Sequence, residues 1–199
     1  MKKIILDSGK KNPNFIGSWC IEPILICDEL ISYFDHNIAK QKSGKSGSGF
    51  NPEIKDSIDI TIHPKDIGLP GYEAFKKYFD QLLECYKNYE EDWTFLNKIS
   101  ERLEIGSFNI QRYKPGQHFK EIHTERLSLD SIHRIFAFMT YLNDVKEGGS
   151  TYFSHYDLEI QPRKGLTLIW PAEWTHAHRG NILKKGSKYI ITGWINFAN

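Results

Sequence analysis

His123-Thr124-Glu125 on one strand-like stretch, and His176-Ala177-His178 on another, constrain this chain more than any other feature. Successive side chains on a strand alternate faces, so His123 and Glu125 project to one side and Thr124 to the other. A third ligand then has to arrive from elsewhere, which calls for a sheet that brings distant segments together. Two imidazoles and one carboxylate grouped in this way can hold a metal on one face of an octahedron and leave the opposite face open. A His-x-acid tripeptide alone is weak, because such tripeptides are frequent. The surrounding sequence decides.

That sequence reads as strands. Residues 119–125 follow the Pro115-Gly116 turn and form the end of a short strand. Residues 165–171 (GLTLIWP) have the β-branched and aromatic content of a buried strand and lead into a second one over residues 174–180. A turn with Asn181 and Gly186 feeds a third, where Tyr189, Ile190, Ile191, Thr192 and Trp194 are strong strand formers. Lys188 opens that otherwise apolar run, an odd place for a surface lysine. His176 and His178 share strand parity, so alternation does not choose between them as the distal ligand. Strand starts near Phe108, Phe119, Ile135, Thr151, Leu158, Leu166, His176 and Lys188 predict a mainly β (α+β) fold: a double-stranded β-helix, or jelly roll, braced by N-terminal helices.

The N-terminal part supplies the bracing. Apolar residues recur at near-helical spacing over residues 24–39 and again over 72–89, after Pro70-Gly71. Such stripes predict helices packed on the outside of a sheet. Residues 40–52 (KQKSGKSGSGFNP) are the one low-complexity stretch, either a flexible connection or a mobile lid beside the alternating residues 57–62. The expected layout is a single domain over 1–199, with helical support and lid in 1–107 and the catalytic barrel in 108–199.

The motifs run in a fixed order: Gln111-Arg112-Tyr113-Lys114-Pro115-Gly116, His123-Thr124-Glu125, Arg134, Tyr141-Leu142-Asn143-Asp144-Val145, then Gly148-Gly149-Ser150-Thr151-Tyr152-Phe153. Pro162-x-x-Gly165, the histidine pair and Lys188-Tyr189-Ile190-Ile191-Thr192-Gly193-Trp194 complete it. From about Phe108 to the end, the chain resembles the 2-oxoglutarate- and iron(II)-dependent oxygenases, in the branch of the prolyl 4-hydroxylases. The resemblance implies iron ligation by His123, Glu125 and the distal histidine. In that family a basic residue about ten positions past the distal histidine clamps the far carboxylate of 2-oxoglutarate. His178 and Lys188 have that separation (188 − 178 = 10), which favours His178 and leaves His176 either behind the ligands or facing water near the site. Tyr141 and Thr192 stand where residues assisting that carboxylate are found, and Tyr113 where one lies over the co-substrate. Prolyl hydroxylases usually carry aspartate where this chain has Glu125.

The implied activity is hydroxylation of an unactivated C–H bond, a prolyl residue of a peptide being one candidate substrate and a small metabolite another. Oxygen and 2-oxoglutarate are consumed, succinate and carbon dioxide are released, and ascorbate is a reductant in the prolyl hydroxylase branch. Arg126, Phe119 and Arg112 are the candidate substrate contacts. Two other readings compete, a cupin-like metal-dependent isomerase or epimerase and a barrel that binds without turnover; neither needs a basic clamp for a dicarboxylate.

Composition limits the partners. A net charge of +1 gives no electrostatic footprint for nucleic acid or an anionic membrane. Lys2-Lys3 precedes only Ile4-Ile5-Leu6, too short for a secretory leader, and no apolar run approaches a membrane span. Cys20, Cys27 and Cys85 are an odd, unpatterned set, as expected of reduced thiols in the cytoplasm.

Overall fold

The longest strands carry different residues on their two faces. Along Arg134–Tyr141, Phe136 and Phe138 join one buried cluster while Ala137, Met139 and Tyr141 join another. Leu166–Pro171 splits Ile169 from Leu166, Leu168 and Trp170 in the same way. A sheet that is apolar on both faces has to be covered twice. Helices cover one face here, and a second sheet covers the other.

The computed structural model describes residues 1–4, 14–47, 49–99 and 102–198. Ile5, Leu6 and Ser48 of the segments discussed above lie outside them. The strands are β1 (Lys2–Lys3), β2 (Gly17–Cys20), β3 (Lys42–Ser43), β4 (Lys55–Asp56), β5 (Ile58–Ile62), β6 (Leu103–Ile105) and β7 (Phe108–Tyr113). They continue as β8 (His118–His123), β9 (Arg134–Tyr141), β10 (Thr151–Phe153), β11 (Leu158–Ile160), β12 (Leu166–Pro171), β13 (His178–Gly180) and β14 (Lys188–Phe197). The larger sheet runs β1-β2-β12-β9-β14-β7-β5-β3, with β6 beside β14; the smaller runs β11-β10-β13-β8-β4. This is the expected double-stranded β-helix.

Helices α1 (Leu25–His36) and α2 (Glu73–Asp92) cover the outer face of the larger sheet. In α2, Phe75, Tyr78, Leu82, Cys85 and Tyr89 are buried at three- and four-residue intervals, one stripe of an amphipathic helix. Each large side chain so buried contributes about 1.5–3 kcal/mol. The Tyr78 hydroxyl stays satisfied under this stripe, 2.9 Å from Thr140 Oγ1, which is 2.7 Å from Thr167 Oγ1.

Four features differ from the sequence expectation. The N-terminal part supplies strands as well as helices: β2 pairs with β12, and β5 with β7. The strand expected at His176 begins two residues later, because Trp174–His176 forms a 3-10 turn. Strand β8 stops at His123, so Glu125 stands in the bend beyond it. Within residues 40–52, β3 pairs with β5, the Gly44 N–H donates to Ser57 O at 2.9 Å, and Lys45 O accepts from the buried Lys55 ammonium. A Cβ at Gly44 would lie 2.1 Å from Ser57 Oγ, so this part of the segment is docked closely enough to require glycine. Among the described residues no helix is long and apolar enough to cross a membrane, and all three cysteines are unpaired.

Candidate metal centre

Pairing of β8 with β13 sets His123 directly opposite His178. Their ring centroids are 4.5 Å apart. The bend after β8 returns Glu125 to the same place, and its Oε1 lies 3.5 Å from His178 Nε2. One ligand atom from each of the three residues fits within a 4.8 Å group. Local hydrogen bonds decide which atoms face inward. His123 Nδ1 donates to Glu121 O at 2.8 Å and His178 Nδ1 to His176 O at 2.9 Å. Both rings therefore present Nε2 as the lone-pair nitrogen, the tautomer a metal needs.

Packing fixes the rings as well. Phe119 stacks on His123 at 3.7 Å and 11°, while Phe153 and Trp170 lie 5.3 and 5.2 Å from the His178 ring. Burial and the neighbouring His178 push His123 down to about 4, so it is neutral at pH 7. Burial alone would raise the Glu125 carboxyl; His178, His123 and the Trp194 N–H outweigh it and hold the group below its usual range. A carboxylate beside two inward-facing imidazole Nε2 atoms is a cation site.

His176 does not belong to this group. Its Nε2 lies 2.8 Å from Asn14 O and its Nδ1 3.0 Å from Thr175 Oγ1, so both ring nitrogens are engaged. The strand-parity argument fails because His176 sits in the 3-10 turn. Its contribution is the backbone carbonyl that orients His178. Trp194 is a partner that sequence reasoning missed: its indole N–H donates to Glu125 Oε2 at 2.6 Å. Arg134 lies 3.7 Å over the Trp194 ring and donates to Glu125 O at 2.8 Å. Both residues stand in the ordered motifs, but only the folded barrel brings them to Glu125.

Lys188 opens β14 in phase with Ile190, on the barrel-facing side, and is only 3% exposed. Its ammonium donates to Gly149 O at 2.9 Å and stands 4.3 Å over the Tyr113 ring, its register partner on β7. Among the described residues no carboxylate pairs with it. An ammonium has three donors, so a buried one with a single acceptor leaves room for an anion. Burial lowers Lys188 to about 7. Gly149 needs its positive φ of 69° to make the turn that aims its carbonyl there.

The remaining expected contacts fall into different places. Tyr113 donates its hydroxyl to Gln111 Oε1 at 2.8 Å, so it offers Lys188 its ring face. Tyr141, fully buried, donates to Thr151 Oγ1 at 2.6 Å, and Thr192 donates to Phe138 O at 2.9 Å. Both hydroxyl protons are committed to the protein. Arg126 pairs with Glu173 and donates to Ile132 O, tying the loop after β8 to the loop after β12. Phe119 packs on the His123 ring itself. Arg112 is a correction: it is out of phase with Tyr113 on β7, and its guanidinium lies 5.4 Å from the Phe34 ring of α1. It faces the helices, away from the barrel interior.

Among the described residues, fold and site define a jelly roll with a three-residue group that could hold a metal and a buried lysine ammonium that no carboxylate pairs. Residues 108–196 match the family model of the 2OG-Fe(II) oxygenase superfamily. It is 33% identical over 115 residues to probable prolyl 4-hydroxylase 9 of Arabidopsis thaliana, covering 45% of this chain and 40% of the relative. It is 28% identical over 184 residues to procollagen-lysine,2-oxoglutarate 5-dioxygenase 1 of Gallus gallus, covering 85% of this chain and 22% of the relative. The chain therefore spans less than half the length of these curated relatives. A viral collagen prolyl hydroxylase from Paramecium Bursaria Chlorella virus-1, solved with 2OG, superposes with a TM-score of 0.68 at 19% identity, covering 96% of this chain and 100% of that one. A Trichoplax adhaerens prolyl hydroxylase, in complex with a hypoxia inducible factor peptide fragment, gives 0.69 at 16% identity, with 96% and 87% covered. At these identities the likeness concerns the fold.

Proposed function

We propose that this chain is an iron(II)- and 2-oxoglutarate-dependent dioxygenase that hydroxylates an unactivated C–H bond of a peptide residue, prolyl first and lysyl second. The observation that carries the reading is the joint presence of the His123–Glu125–His178 cluster and the buried Lys188 ammonium without a counter-ion. A metal-dependent isomerase or a binding barrel accounts for the first and leaves the second unexplained. The peptide substrate is supported by relatives that are prolyl and procollagen-lysine hydroxylases.

The residues present fit both groups. His123, Glu125 and His178 would hold the iron through two Nε2 atoms and one carboxylate oxygen. Lys188 would hold the far carboxylate of 2-oxoglutarate. Bound iron and 2-oxoglutarate together supply oxidative decarboxylation to succinate and carbon dioxide, coupled to insertion of oxygen into the C–H bond. The protein's share is positioning. Lys188 provides a charge-assisted hydrogen bond worth about 1.5–3 kcal/mol. Tyr113 under the ammonium, Leu168 and Trp170 keep the cup apolar and exclude water, which protects the reaction from side paths. Tyr141 and Thr192 shape the wall, because their hydroxyl protons are already donated elsewhere. Phe119, stacked on His123, and Arg126, paired with Glu173, are the residues proposed to meet the peptide.

The test is succinate formation from 2-oxoglutarate with iron(II) in air, followed by mass analysis of prolyl and lysyl peptides. Succinate and a peptide mass gain of one oxygen are expected. No succinate from an iron-loaded protein, with or without peptide, would contradict the reading.

A further inference from the structure

Glu125 is one methylene longer than the aspartate usual at this position in prolyl hydroxylases, and its carboxylate is held from outside the ligand set. Its two oxygens have different partners: Oε1 faces His178 Nε2 at 3.5 Å, and Oε2 accepts the Trp194 indole N–H at 2.6 Å. Trp194 is itself fixed. It occupies β14 opposite the small Ala137, with Arg134 3.7 Å above its ring. The same Arg134 donates to the Glu125 backbone carbonyl. One cation thus grips the residue at its backbone and, through the indole, at its carboxylate.

We propose that Trp194 is a positioning residue for the metal centre: by occupying Oε2 it makes Glu125 a one-oxygen ligand. The inference rests on the ligand set read above. The chemical need is a matter of coordination number. Three protein donors leave three positions of an octahedron, and a chelating co-substrate with oxygen requires all three. A free glutamate can swing to bind a metal through both oxygens, and its longer side chain gives it more freedom to do so than aspartate has. The indole N–H removes that option by satisfying the second oxygen, the role partners behind metal ligands commonly play. Aspartate at 125 would draw the carboxylate back by one methylene, away from the indole that Glu125 Oε2 meets at 2.6 Å, so Glu125 and Trp194 act as a pair.

Cobalt(II), whose visible absorption reports coordination number, is the probe. It is titrated into wild type, Trp194→Phe, Glu125→Asp and the double variant, without co-substrate. Wild type should bind with a spectrum of one well-defined coordination state. Trp194→Phe should lose about ten- to hundredfold in cobalt affinity and change its spectrum, in the range found for groups behind metal ligands. Glu125→Asp should change the spectrum too, and the double variant should be no worse than Glu125→Asp, because the two act on one contact. At saturating metal, Trp194→Phe should leave the 2-oxoglutarate affinity within a few-fold of wild type, since Lys188 is untouched. Trp194→Phe with wild-type cobalt affinity and spectrum would overturn the inference and leave the ligand set standing. Should Trp194→Phe fail to fold, Glu125→Asp with an unchanged spectrum overturns it equally. No cobalt binding by folded wild type would overturn both readings.

Discussion

The two ends of the cup are completed to different degrees. At the metal end, both histidine Nδ1 atoms and one Glu125 oxygen already have protein partners, at 2.6–2.9 Å. Only the inward-facing donor atoms are left. At the lysine end, the Lys188 ammonium has one carbonyl at 2.9 Å and the face of a tyrosine. The first end is rigid and specifies a geometry; the second is unfinished and specifies a charge. A mutation at the metal end should therefore abolish a site, and one at the lysine end should weaken a ligand.

The largest effect belongs to the histidines. His123→Ala or His178→Ala should cut iron affinity by more than about a hundredfold, beyond the usual effect of groups behind the ligands, and remove turnover. His176→Ala should keep iron affinity within about tenfold while losing roughly 1 kcal/mol of stability from its bond to Asn14. Iron titration with thermal melting separates the three. A dead His176→Ala beside an active His178→Ala would exchange the two roles.

Next comes pH. Burial places Lys188 near 7 in the absence of an anion, lowered from its ordinary value, so it loses its proton as pH rises through that point. Below about 7 the charge is present and the co-substrate binds in full. Above it, binding must first restore the proton, so affinity for 2-oxoglutarate should fall by up to about tenfold per pH unit. Lys188→Arg should be flat over the same window, because a guanidinium stays charged. A wild-type affinity independent of pH between 6 and 9 would remove the unpaired ammonium from the account. Smaller again is Tyr141→Phe: its hydroxyl donates to Thr151, so at most about a fivefold rise in 2-oxoglutarate KM is expected, by loss of roughly 1 kcal/mol. Arg112→Ala should change iron and 2-oxoglutarate affinity by less than about twofold, because it packs on Phe34 on the helix side. A larger loss measured by either titration would bring the two faces of β7 into communication.

Much of this arrangement was legible in the sequence because strands have a short period. Period-two alternation and β-branched content locate β7, β9, β12 and β14, and the ten-residue spacing picks His178 over His176 through family resemblance. Arg112 was misplaced, although its position next to Tyr113 on a strand already turns it to the opposite face, away from the barrel interior. What stayed hidden was long-range or irregular. Strand β2 is only Gly17–Cys20, and its reason to be a strand is β12, nearly 150 residues on (166 − 20 = 146). The 3-10 turn at His176 broke a parity argument that assumed an unbroken strand. The Trp194–Glu125 bond joins residues 69 apart, which no local period encodes. Gly44 and Lys45 look like linker by composition, yet they dock on Ser57 and the buried Lys55–Asp59 pair.

The central claim is that Lys188 is the missing half of an ion pair with a dicarboxylate. It is tested most directly by titrating 2-oxoglutarate into wild type, Lys188→Ala and Lys188→Arg, each loaded with saturating manganese(II) under anaerobic conditions. The account predicts a ten- to hundredfold loss of affinity in Lys188→Ala, the equivalent of about 1.5–3 kcal/mol. It also predicts partial recovery in Lys188→Arg and metal affinity unchanged in all three. Equal 2-oxoglutarate affinities across the three proteins would contradict it.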